Sequence, residues 1–388
     1  MNRTVIYLLT LGVFLTATAE LVVAGILNVI AEEMNVSIAM AGQLISAYSL
    51  ALAIGTPIVI SMTSRMGRKK LLSCALSFFI AGCLLSSFSN DYSMLMVSRA
   101  ILGLSAGVFL VVSFSTVAKL VPPEKIGSTI GTIILGFSCA IVLGVPIGIT
   151  ITNWMNWHLI FIILAFLSIL ILLGIIRLLP KIEGDIPVPF KNQLIVLASP
   201  VILTGLFITF FRDTGNSIMY TYLTPFLEDI LLLRPTTIGL IMLLFGVFGV
   251  IGSRLGGFAA DKWGTKRIIL LCITVHAVSL AILPMVTSLQ IAGLAILAVW
   301  VFSMFVVAPA LQTYFIQEAP QSSSLVLSLN TSITHLALAA GAGLGGVAAS
   351  SASSVFYHPW VASLTIGLGL IAAIVSFSIR QNKQTVPA

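Results

Sequence analysis

The sequence predicts an all-α membrane protein with twelve transmembrane helices in two pseudo-symmetric six-helix bundles. Three observations carry that expectation. Hydrophobic residues make up 59% of 388 positions and charged residues 8%, with a mean hydropathy of +1.14, far from the balance of a water-soluble domain. The apolar residues fall in runs of about 20, the length of a helix across a hydrocarbon layer about 30 Å thick, without the period-2 alternation a barrel needs. Landmarks also recur at one interval of 197 residues. Ser64-Arg65-Met66-Gly67-Arg68-Lys69-Lys70 is matched by Asp261-Lys262-Trp263-Gly264-Thr265-Lys266-Arg267, and the row Ala140, Gly144, Gly148 by Ala337, Gly341, Gly345. A duplicated helix bundle is a layout used by secondary transporters.

In chain order the expected spans of the first bundle, residues 1–179, are 5–29, 39–62, 70–89, 93–117, 127–151 and 158–179. The first follows a basic Asn2-Arg3 start and contains Ala17-Thr18-Ala19, but it is too long for a signal h-region, holds Glu20 and belongs to the repeat, so it stays as a helix. Arg177 to Gln193, with Pro180, Glu183, Gly184, Asp185, Pro187, Pro189 and Lys191, is the one substantial polar break. It is read as a cytoplasmic linker over 180–197, because its prolines and charges resist burial and helix continuation. The second bundle, 198–388, holds 198–227, 236–258, 267–286, 289–314, 323–349 and 357–379.

Charge placement sets the orientation. With a cytoplasmic N-terminus, Arg3, Arg65, Arg68, Lys69, Lys70, Lys119, Lys125, Arg177, Lys181, Lys191, Lys262, Lys266, Arg267, Arg380 and Lys383 all face inward, and Arg234 faces outward. This positive-inside pattern places both termini in the cytoplasm of a multi-pass protein of the cell inner (plasma) membrane. It also accounts for the net charge of +7 without nucleic acid as a partner. Cys74, Cys83, Cys139 and Cys272 lie inside spans without close pairing, so neither a disulfide nor a metal site is expected. No phosphate-cradling loop, metal-binding His pair or nucleophile turn is present, which argues against an enzyme and against a cofactor.

Polar residues inside the spans mark candidate sites. Arg99 in span 4 requires a partner or wet surroundings, since an arginine at the centre of a membrane helix costs about 2.5–3.5 kcal/mol on insertion scales. Glu20 in span 1 lies at the same depth, roughly 10–14 Å below the outer surface at 1.5 Å per residue. Desolvation and a nearby guanidinium act on a carboxylate in opposite directions, a competition that lets conformation change its proton affinity. Glu20 is therefore the expected proton carrier and Arg99 its electrostatic partner, against the alternative of a fixed structural ion pair. In span 7, Asp213 stands one turn from Ser217, the repeat equivalent of Glu20, and is a second proton candidate. Neighbouring residues diverge by about 100° around a helix, so Arg212 and Asp213 are not expected to face one partner squarely. Arg212, Asn216, Tyr220, Tyr222, Gln43, Trp300 and His335 are candidates for substrate contact.

The basic turns, span 4 and span 5 carry a family resemblance. Gly257, Asp261 and Gly264 keep the spacing of the Gly-x-x-x-Asp-Arg-x-Gly-Arg-Lys loop of the major facilitator superfamily, while the first copy has Ile60 and Ser64 for the leading glycine and the acid. Arg99, Gly103, Ser105, Ala106 and Gly107 resemble its Arg-x-x-x-Gly-x-small-small-Gly pattern. Gly136, Ala140, Gly144, Pro146 and Gly148 are similar to its span 5 antiporter motif, in the Leu-Gly-Val-Pro-x-Gly form of the sugar and drug efflux group. Val145 replaces the glycine before the proline, Ile149 replaces the final glycine, and Asn156-Trp157-His158 stands where that group has Gly-Trp-Arg.

The resemblance is to the twelve-helix drug/proton antiporter branch, near arabinose and sugar efflux permeases. It implies a proton-coupled antiporter exporting a small solute such as a drug or sugar, its halves rocking about a midplane site as a monomer in the bilayer. Arg65, Gly67, Arg68, Asp261 and Gly264, with Gly144, Pro146 and Gly148, would then gate, Asp261 by meeting a helix N-terminus of the opposite half. A proton symporter or facilitator importing a sugar or related nutrient is the alternative within this class. A membrane-embedded receptor or sensor is the alternative outside it.

Overall fold

The computed structural model describes residues 3–36, 38–184, 199–352 and 354–385; residues 185–197 of the expected linker lie outside the described residues. Among the described residues all regular structure is helical. Twelve long helices follow one another: α1 (Arg3–Gly25), α2 (Ile38–Leu50, a π turn Ala51–Gly55, and Thr56–Met62), α3 (Arg68–Ser87), α4 (Tyr92–Leu120), α5 (Ile126–Cys139, a π turn Ala140–Gly144, and Val145–Trp154) and α6 (His158–Leu178). After these come α7 (Pro200–Thr221), α8 (Pro235–Trp263), α9 (Thr265–Ile282), α10 (Gln290–Glu318), α11 (Ser323–Ala352) and α12 (His358–Thr385). Eleven of the described helices are long and apolar enough to cross a membrane. The twelfth, α7, has 22 residues, roughly 33 Å at 1.5 Å each; Arg212, Asp213 and Asn216 in its second half lower its apolarity.

The expected span 198–227 breaks after Thr221, where Pro225 precedes a π turn over Phe226–Ile230. Conversely α8 and α10 run on to Trp263 and Glu318 beyond their apolar runs, because intrahelical hydrogen bonds continue where hydropathy ends. The π turns of α2 and α5 each stand just before a proline, Pro57 and Pro146. A proline cannot donate to the carbonyl four residues back, so the helix locally rewinds. In α2 that carbonyl belongs to Ala53, and the Ser332 hydroxyl donates to it instead.

Contacts divide the chain into two compact units. The first comprises Met1–Pro123, Thr132–Pro187 and Gln321–Ser332; the second comprises Glu124–Gly131, Val188–Pro320 and Ile333–Ala388. Residues 124–131 at the start of α5 and 321–328 at the start of α11 correspond at the 197-residue interval. The repeat therefore extends to which helix starts are assigned away from the rest of their helix.

Within the first unit, α5 lies on α1 along its small residues. A methyl group at Gly136 would meet the main chain of Thr10 and Phe14, one at Gly144 the Thr18 side chain, and one at Gly148 Val22. Within the second unit, Gly341 and Gly345 of α11 meet α7 in the same manner, at Thr214 and Ser217 and at Ile218 and Tyr222. Small residues spaced by four let helices approach where lipid offers no hydrophobic drive to association.

The described start of the linker packs inside the first unit. The Arg68 amide donates to the Ile182 carbonyl at 2.9 Å, and Lys119 Nζ donates to the Glu183 and Gly184 carbonyls, each at 3.1 Å. The matched glycines Gly67 and Gly264 differ in conformation. Gly264 joins α8 to α9 at φ 86°, in the left-handed region, whereas Gly67 begins α3 at φ −57°. Gly264→Ala is expected to lower stability by about 1–2 kcal/mol, read from the unfolding midpoint in detergent, while Gly67→Ala escapes that backbone cost and shifts the midpoint less.

Candidate functional site

Two polar clusters stand in the membrane-spanning helices, one in each unit. In the first, Arg99 of α4 is completely buried. Its Nη1 donates to the Ala19 carbonyl at 2.8 Å, its Nε to the Leu44 carbonyl at 3.3 Å and its Nη2 to the Glu20 carbonyl at 3.5 Å. The guanidinium carbon lies 4.6 Å from the centre of the Tyr48 ring, and Tyr48 in turn donates to the Thr16 carbonyl at 3.4 Å. Arg99 thus joins α1, α2 and α4 through main-chain oxygens and a ring face, a combination that makes a buried cation tolerable. Gly103, one turn further along α4, permits the approach, since a methyl group there would collide with the Tyr48 main chain. Among the described residues, the hydrogen bonds and close ion pairs of Arg99 do not include the Glu20 carboxylate, which is half-buried beside it.

In the second unit, α7 carries Arg212 about 18 Å along its axis from Pro200. Arg212 Nη2 pairs with Asp213 Oδ1; the arginine stem is long enough to bring its head across the helix surface to its own neighbour. Thr334 of α11 donates to Asp213 Oδ2 at 3.0 Å, so both oxygens of the carboxylate are engaged. One turn on, Asn216 Oδ1 accepts from Trp300 Nε1 of α10 at 3.0 Å. The Tyr220 and Trp300 ring centres lie 6.4 Å apart.

Other candidates fall elsewhere. The Tyr222 hydroxyl donates to the Ala342 carbonyl at 3.2 Å and its ring stands 4.7 Å from that of His358, which places it in the packing of α7 with α11 and α12. Ser217 donates to the Leu338 carbonyl at 2.7 Å, so the repeat equivalent of Glu20 serves the same packing. Gln43 is exposed beside the Tyr92 hydroxyl, and His335 is half-buried on α11.

At the basic turns, Asp261 accepts from the Gly127 and Ser128 amides, both at 2.7 Å, at the N-terminus of α5 within the second unit. Charge and helix dipole meet favourably there. The matching arrangement in the first unit is of a different kind: buried Arg68 donates through Nη2 to Ser324 Oγ at 2.6 Å. Ser324 is the repeat equivalent of Gly127, while Arg65 is exposed. Thr334, Ser324 and Ser332 escaped the sequence reading because a serine or threonine in an apolar span gives no signal of the distant group it meets.

Twelve long helices among the described residues, in a sequence whose landmarks repeat and with Arg99, Arg212 and Asp213 buried within them, are the layout of a multi-pass membrane transporter. The chain belongs to the Major Facilitator Superfamily, whose profile matches residues 9–336 and again 205–387. It is 35% identical over 385 residues to the Bacillus subtilis protein described as uncharacterized MFS-type transporter YbcL, covering 99% of this chain and 98% of that one. It is 31% identical over 380 residues to the inner membrane transport protein YdhP of Escherichia coli K12, covering 97% and 96%. In fold it is similar to the human organic anion transporter MFSD10, with TM-score 0.76 and 17% identity over 96% of this chain and 99% of that one. It is also similar to the proton:xylose symporter XylE, with TM-score 0.80 and 15% identity over 97% and 95%.

Asp261→Asn replaces a charged acceptor of two amides by a group that presents its own N–H donors. The expected result is a loss of about 1–3 kcal/mol, measured by unfolding in detergent, and Ser64→Asn at the repeat-equivalent site serves as the neutral comparison.

Proposed function

We propose that this chain is a proton-coupled antiporter that exports a small solute such as a drug or sugar by alternating access. The observation that carries this reading is the arrangement around Glu20. Arg99 is held by main-chain carbonyls, leaving the neighbouring carboxylate able to gain and lose a proton without dismantling the joint between α1, α2 and α4. Desolvation in one access state and hydration in the other would then alternate its proton affinity. Asp213, held by Arg212 and Thr334, is the second ionisable group of the cycle.

In this reading the protein acts as a monomer in the inner membrane with both termini cytoplasmic, as the distribution of basic residues supports. The two six-helix halves, 1–179 and 198–388, are the rocking bodies, joined by the linker 180–197. The turns containing Arg65, Gly67, Arg68, Asp261 and Gly264, with the bend at Gly144, Pro146 and Gly148, form its gating elements.

The test uses inverted vesicles energised to hold an acidic lumen, reported by a pH-sensitive dye. Among sugars, nucleosides, aromatic acids and antibiotics, an exported solute should discharge the gradient with wild type and leave it intact with Glu20→Gln. A Glu20→Gln protein that discharges the gradient at the wild-type rate removes Glu20 from the coupling mechanism.

A further inference from the structure

The polar stripe of α7 has a surplus of one chemical kind. Arg212, Asn216 and Tyr220 stand four residues apart on one helix face, and Trp300 of α10 joins them at Asn216. Arg212 is 7% exposed and Asn216 4%. Among the described residues, the buried nitrogens Nε and Nη1 of Arg212 and Nδ2 of Asn216 have no hydrogen-bond partner. All three are obligate donors. Among the side chains of this stripe and their partners, Asp213 Oδ1 is engaged by Arg212, Asp213 Oδ2 by Thr334 and Asn216 Oδ1 by Trp300. Among the described residues, buried His276 of α9, whose ring nitrogens also have no hydrogen-bond partner, makes no bond to Arg212. Buried polar groups without partners are rare and costly, by about 1–3 kcal/mol each and more for a charged group. A ligand that completes this stripe must therefore bring acceptors.

We infer that the second unit holds a subsite for an organic anion, a carboxylate or sulfonate carried on a flat apolar body. Its oxygens accept from Arg212 and Asn216, and its body lies toward Tyr220 and Trp300. A cationic head group supplies no acceptor and meets the guanidinium with like charge. A neutral carbonyl or hydroxyl supplies an acceptor but lacks the charge, and hydrogen bonds between two charged groups are about twice as strong as neutral ones. Asp213 does not occupy the place of the ligand, because its bond is to Nη2 and the nitrogens in surplus are the other two. Tyr220, 40% exposed at the far end of the stripe, marks the side from which the apolar body enters. This assignment rests on the transporter reading above and names the class of solute for it.

The experiment measures the ligand-induced shift of the unfolding midpoint of the full-length chain in detergent, with four probes of similar size: benzoate, benzenesulfonate, benzamide and benzyltrimethylammonium. A ligand that binds only the folded state raises the midpoint. The two anions are expected to raise it and the amide and the cation to leave it unchanged. Asn216→Asp keeps the acceptor for Trp300 and turns the donor into an anion, so it should weaken benzoate binding about tenfold to a hundredfold. The double variant Arg212→Gln/Asp213→Asn, which removes both charges together and avoids a stranded buried ion, should lose the response to both anions.

Equal stabilisation by benzamide or by the cation overturns the assignment. So does an unchanged benzoate response in the folded Asn216→Asp or double variant, or no response to either anion up to its solubility. The two readings separate cleanly. Proton-coupled export of some other solute with no anion response sinks the subsite alone, whereas anion stabilisation with no proton-coupled flux of any solute sinks the antiport reading and leaves the subsite standing.

Discussion

Bare backbone at Gly136, Gly144 and Gly148 on α5, and at Gly341 and Gly345 on α11, holds the two helices that carry Glu20 and the Arg212–Asp213 pair. In lipid, apolar helix faces gain little from meeting one another, so close main-chain approach and its dispersion contacts carry association. α5 closes on α1 and α11 on α7, and these are the helices that bear Glu20 and the Arg212–Asp213 pair. One stripe of small residues, repeated once, therefore sets the azimuth of both ionisable clusters.

Once the helices are that close, main-chain carbonyls become available as partners for charge. Among the described residues, Arg99 donates its hydrogen bonds to three carbonyls of α1 and α2 and not to the Glu20 carboxylate beside it. The same economy of means appears at Ala53, whose carbonyl is released by Pro57 and taken up by Ser332. The units solve the problem of a buried arginine differently: each nitrogen of Arg99 bonds a backbone carbonyl, and Arg212 pairs with its own neighbour and retains, among the described residues, two nitrogens without a partner. That difference makes the first cluster a joint, and the anion subsite proposed above draws on the second.

The helical spans were legible in the sequence because hydrocarbon thickness fixes their length, and the repeat fixed their order. Their ends were less so: α8 and α10 continue to Trp263 and Glu318 on hydrogen bonding that hydropathy does not register. At the polar clusters, residue types announced themselves and partners did not. Arg99 was conspicuous, but carbonyls at Ala19 and Leu44 are properties of packed helices and have no letter in the sequence. That Arg212 and Asp213 would pair with each other was not read from the sequence, because backbone geometry says nothing of the reach of the arginine side chain. Thr334, 121 positions from Asp213, was one hydroxyl among many. Gly67 and Gly264 looked equivalent at matched positions, and only Gly264 adopts a left-handed backbone.

The assignment of residues 321–332 to the first unit has a consequence for biosynthesis. Arg68 and the Ala53 carbonyl emerge early from the ribosome, yet the hydroxyls that satisfy them, on Ser324 and Ser332, are translated more than 250 residues later. Until then Arg68 lacks its bond to Ser324 and the Ala53 carbonyl its bond to Ser332. Maturation of that unit in this respect waits for α11 even though its first six helices are finished long before, and truncation ahead of α11 removes the Ser324 and Ser332 hydroxyls from its interior.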